Sequence, residues 1–207
     1  MTAKQQQVSD EVIDLLLQAV ETELGGIDIY RTALKCVQRE DLRLEWTKYL
    51  TQTEEHVRVL QTLCESQGID PDEDTPGRAT VRCIGKSLVR AMLLSLGNDS
   101  PGAIELVAAE CVTLAETKDH LNWSLLADVG NGPGAFAKAV AAACDQVEPQ
   151  EDEHLYHAEG WTRELWLEHL GLPAQLPPPE EEEDVRSELE AATVRARRQT
   201  SMERGVR

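Results

Sequence analysis

Glu151-Asp152-Glu153-His154 sets a carboxylate and an imidazole three residues apart. On a helix, residues three apart project from one face, so Glu151 and His154 can reach a single ion. Glu23, His56 and Glu110 are further candidates, because Glu23 and His56 interrupt otherwise apolar stripes and Glu110 lies in a nearly continuous apolar stretch. A charged group in a buried seam costs several kcal/mol unless it is paired or bound to metal. Carboxylates and imidazoles together suit iron, manganese or zinc. Two further pairs stand four residues apart, Glu116 with His120 and Glu153 with His157, with Trp123 and Trp161 beyond them. Such pairs are either surface ion pairs or additional and supporting ligands.

The elements that must position these residues are helices. Val12, Leu16, Ala19, Glu23, Ile27, Tyr30, Leu34 and Val37 fall three or four apart, which predicts a helix from about Ser9 to Val37. Leu42, Trp46, Tyr49, Thr53, His56, Leu60 and Leu63 predict a second, from about Asp41 to Ser66. If the chain turns near Glu40, Glu23 and His56 stand 17 and 16 residues from the turn and share a level. Residues 68–100 read as a crossover containing a shorter helix, about Arg78 to Leu96. Ser100-Pro101 starts a third long helix, reaching about Val129. A joint at Gly130–Gly134 leads to a fourth, ending before Gly171 and expected to kink or break at Pro149. A turn near Gly132 sets Glu110 and His154 each 22 residues away, again at one level.

The expected architecture is all-α, an up-down four-helix bundle of two antiparallel hairpins within residues 1–172. Residues 173–207, rich in Pro and Glu and then in Arg, read as a flexible tail with a short helix around Val185–Arg197.

A net charge of −18 opposes binding to nucleic acid and to anionic membranes, and it suits metal cations as partners. No apolar run approaches membrane-spanning length. The five cysteines show neither zinc spacing nor a Cys-x-x-Cys pair, and read as free thiols in the cytoplasm. Phosphate-loop and hydrolase-elbow motifs are absent from the sequence.

Glu23 with Tyr30, and Glu151 with His154, resemble the first- and fourth-helix patterns of the ferritin-like superfamily, of the bacterioferritin and rubrerythrin kind. Residues 49–57, Tyr-Leu-Thr-Gln-Thr-Glu-Glu-His-Val, resemble the second helix of a bacterial stress-associated branch of ferritin-like proteins. The resemblance covers residues 9–170. It implies a di-iron site, with Glu110 or Glu116 as the third-helix ligand. The chain departs from the pattern on the second helix: Thr53 stands three residues before His56, and Gln52 stands where that branch tends to carry Glu.

Two readings follow. In the first, two iron ions bound by Glu23, His56, Glu110 or Glu116, Glu151 and His154 react with oxygen or peroxide, and Tyr30 supplies or gates an electron. In the second, the site has decayed, and a non-catalytic bundle acts through a partner or as an oligomer of itself. An oxygenase acting on an organic substrate ranks behind both. It would need a cavity, which Ala108, Ala109, Ala115 and Ala141–Ala143 could leave, though they equally suit close helix packing.

Overall fold

The computed structural model describes residues 8–173. These form α1 (Asp10–Cys36), α2 (Glu40–Ser66), α3 (Pro76–Asn98), α4 (Pro101–Gly130) and α5 (Ala135–His169), with no strand among the described residues. The fold is all-α, and none of these helices is long and apolar enough to cross a membrane. The tail expected beyond residue 173, with its short helix, lies outside the described residues.

The helix ends follow local chemistry. α3 starts two residues earlier than its apolar spacing predicts. The Thr75 hydroxyl accepts the Arg78 amide at 3.1 Å, and Pro76 follows at the first helical position. Between α1 and α2 the chain turns within three residues. Glu105 of α4, buried there, accepts the amides of Gln38 and Arg39 at 2.7 and 2.9 Å. Those amides have no partner within α2, so the carboxylate satisfies them and meets the positive end of the helix.

Pro149 does not break α5, which runs on as one helix to His169. The proline and Asp145, whose carbonyl loses its amide partner, are both exposed. Water can take up the freed carbonyl, so the helix survives the missing bond.

α1 packs against α2, α3 and α4, α4 packs against α5, and α2 meets α5. The small residues serve close packing: a Cβ on Gly130 would lie 3.0 Å from the backbone of Ala141. The buried apolar residues form two clusters. One gathers Tyr30, Trp46, Tyr49, Val112 and Leu165, and the other Leu16, Leu60, Trp123, Val140 and Val147. A polar layer separates them. On α1, Glu23 lies between Val20 and Ile29, and on α2, Thr53 and His56 lie between Tyr49 and Leu60. On α4, Glu116 and Asp119 lie between Ala115 and Trp123. On α5, Glu151 and His154 lie between Val147 and Ala158. Four helices thus each place buried polar or charged side chains at this one depth, with apolar side chains above and below.

Candidate metal centre

Each helix delivers its charge because the apolar stripe on either side fixes its rotation. Glu23, His56, Glu151 and His154 are each at most 1% exposed, and Glu116 is 3% exposed. The Nδ1 of His56 lies 2.8 Å from Glu151 Oε1 and 3.4 Å from Glu23 Oε1. The Nδ1 of His154 lies 3.5 Å from Glu151 Oε1 and 3.6 Å from Glu116 Oε2. Two groups result, Glu23–His56–Glu151 and Glu116–Glu151–His154, each with its ligand atoms within 4.8 Å of one another. Glu151 belongs to both.

The inward-facing atoms lack hydrogen bonds. Both Nδ1 atoms, both oxygens of Glu151, Oε2 of Glu23 and Oε2 of Glu116 are buried without a hydrogen-bond partner. Buried polar atoms are rarely left so, and six at one place call for cations among them, either protons shared between imidazole and carboxylate or metal ions. The outward-facing atoms are held. His56 Nε2 meets Gln150 Oε1 at 2.9 Å, and His154 Nε2 meets Gln52 Oε1 at 2.9 Å. An amide oxygen only accepts, so in the neutral rings the proton sits on Nε2 and the Nδ1 lone pair faces the centre. The Tyr30 hydroxyl donates to Glu116 Oε1, and the Trp123 indole N–H donates to Glu23 Oε1, each at 2.8 Å. These bonds fix one oxygen of each carboxylate and leave the other for a ligand.

The crowding of like charges shows in the protonation of these side chains. Burial, then the Glu23 carboxylate, pushes Glu151 up to about 7. Burial works against a charged His56, but Glu151 and Glu23 outweigh it and lift the imidazole to about 10. Burial likewise opposes the charge on His154, and Glu116 reverses the balance and raises it. Tyr30 is held well above its ordinary range, first by burial and then by Glu116.

Of the residues predicted from sequence, Glu23, His56, Glu116, Glu151 and His154 come together, with Tyr30 against them. Glu110 and His120 do not. Glu110 accepts the indole N–H of Trp166 at 3.0 Å, and His120, about a third exposed, pairs with Asp152 at 2.9 Å. Both point away because the face of α4 that meets the centre is set by Glu116 and Trp123. The Glu153–His157 pair also stands outside: Glu153 pairs with Lys48 at 2.6 Å, and His157 Nδ1 meets the Tyr49 hydroxyl at 2.5 Å.

Sequence reasoning missed Asp119, Gln150 and the hydrogen bond from Trp123. Gln52 was visible only as a departure from a pattern. Glu116-x-x-Asp119 has the same three-residue spacing as Glu151-x-x-His154 and could have been found by that rule. Gln150, next to Glu151, carried no signal. No protein-family description, characterised protein or solved structure matches this chain.

Proposed function

We propose that this chain is a ferritin-like metal protein of the four-helix-bundle kind, holding two metal ions, iron by preference, for oxidative chemistry on iron, oxygen or peroxide. The observation that carries this reading is the set of six buried, unpartnered ligand atoms on α1, α2, α4 and α5, turned toward one another. Two imidazoles and three carboxylates, one of them common to both groups, suit a pair of ions and favour iron, manganese or zinc over calcium or magnesium. Bound iron would supply one-electron redox chemistry.

The chain's own residues do the rest. Glu23 and His56 would hold one ion and Glu116 and His154 the other, with Glu151 available to either. Gln150 and Gln52 fix the imidazole tautomers. The apolar clusters above and below restrict water. Tyr30, hydrogen-bonded to Glu116, is the side chain placed to supply or gate an electron. In this reading the protein works in the cytoplasm, where its cysteines stay free.

Thr53 favours a second reading, in which the site is degenerate, binds without turnover, and the bundle acts through a partner or as an oligomer. Metal analysis of protein purified without chelator, beside the E151A/H154A variant, separates the two. Iron near two per chain, lost in the variant, supports the di-iron centre and leads to oxygen and peroxide assays. Protein that stays free of metal after anaerobic ferrous loading overturns it.

A further inference from the structure

Resting on the metal reading above, we propose that Asp119 supplies the centre's fourth carboxylate, as a ligand to the ion held by Glu23 and His56. This is the role that α2, with Thr53 three residues before His56, does not fill.

Asp119 is 5% exposed, and its Oδ1 is buried without a hydrogen-bond partner. It lies on α4 one turn after Glu116 and one turn before Trp123, on the face turned to the centre. Its carboxyl group meets that of Glu23, and Glu151 and Glu116 are its next charged neighbours. It stands outside the two groups whose ligand atoms lie within 4.8 Å of one another, so it would join the ion by a turn of its side chain. Two buried carboxyl groups in contact need a cation between them, either a proton or a metal ion. Trp123 donates to Oε1 of Glu23, and Oε2 is unpartnered as well. Glu23 and Asp119 therefore each offer an unsatisfied oxygen.

The geometry of α2 explains why the fourth carboxylate comes from elsewhere. The Thr53 hydroxyl is turned back to the Tyr49 carbonyl at 2.9 Å. Its methyl group abuts α1, where a Cβ on Gly26 would come within 3.2 Å of it. α1 therefore passes close to residue 53, and a short side chain occupies the place between the two helices. α2 therefore contributes one imidazole, and α4 contributes two carboxylates. Charge supports the same assignment. Glu23, Glu116 and Glu151 leave two divalent ions with an excess positive charge in a buried place, and Asp119 removes it.

Anaerobic titration of the full-length chain with Co(II), followed by visible absorption and calorimetry, tests this. Wild type is expected to take up two ions. D119N is expected to keep the ion at Glu116 and His154 and to bind the other at least 100-fold more weakly, with D119E recovering part of the loss. D119N that binds two ions as tightly as wild type overturns the proposal and leaves the metal reading standing. Wild type that binds no cobalt overturns both. Anomalous scattering from cobalt-loaded wild-type crystals decides the matter if D119N does not fold. An Asp119 oxygen about 2.0–2.2 Å from an ion is expected, and an Asp119 that touches only Glu23 overturns the assignment.

Discussion

Gln52 of α2 holds His154 of α5, its Oε1 2.9 Å from Nε2, while Gln150 of α5 holds His56 of α2 at the same distance. Each helix thus orients the other's imidazole. Gln52, which by sequence reads as a carboxylate lost from a metal site, is in the structure a brace for the His154 imidazole. Replacing Gln52 or Gln150 by Leu removes the acceptor that keeps the proton on Nε2. Apparent metal affinity is expected to fall roughly 10- to 100-fold in each variant, read by competition with a chromophoric chelator. Unchanged affinity in both would show that the braces do not set the tautomer.

Metal uptake should release protons. His56, lifted to about 10, carries a proton at neutral pH in the metal-free protein, and Glu151, at about 7, carries one in about half of the molecules. An ion must displace both. Affinity is therefore expected to rise with pH between 6 and 8, more steeply below about 7, where both protons are lost. Calorimetry in buffers of different ionisation enthalpy counts the protons, and a count of zero at pH 7 would contradict the protonated site.

The same groups make the stability of the metal-free fold depend on pH. His56 binds its proton more tightly folded than unfolded. Its contribution is fully present below about 6.5 and is lost as pH rises through about 10. Glu151 is also raised, from 4.5 to about 7, so the fold favours its neutral form and loses stability as pH rises across that window. Both effects have one sign. In chelator, the melting temperature is expected to drop between pH 5 and 9, and metal loading should flatten or reverse the trend. A metal-free protein that grows steadily more stable toward pH 9 would rule this out.

Much of this was legible in the sequence, for a physical reason. Glu23 and His56 interrupt apolar stripes whose register is kept on both sides, so the stripe itself predicts that they point inward. Ala19 and Tyr30 of that stripe are fully buried on either side of Glu23, while Ile27 is only partly buried and Ile29 takes the core place instead. α4 was harder to read. It is buried by α1, α3 and α5, so its apolar residues run nearly all round and give no single face. The choice between Glu110 and Glu116 therefore could not be made from periodicity, and Asp119 passed unnoticed. Glu105 was likewise hidden, because its partners are backbone amides 66 and 67 residues away.

One buried charge on α1 is independent of the centre. Glu21, two residues before Glu23, turns toward α3. Its Oε2 accepts Arg78 Nε at 2.7 Å, and its Oε1 accepts Arg82 Nε at 2.7 Å. Arg78 also donates to the carbonyls of Pro71 and Glu73, so one guanidinium ties the loop before α3 to α1. Burial acts to raise the Glu21 carboxyl, but Arg82 and Arg78 outweigh it and hold it below its usual value of 4.5. Its contribution is present above about 4.5 and is lost as pH falls through the lowered value, the opposite sign to His56 and Glu151. Arg78 is 4% exposed, and E21Q removes its counter-charge. A loss of about 3–5 kcal/mol is expected in urea unfolding, with the number of metal ions bound unchanged. A variant as stable as wild type would mean that the loop carbonyls and water alone satisfy Arg78, and that α3 is held to α1 by its apolar face.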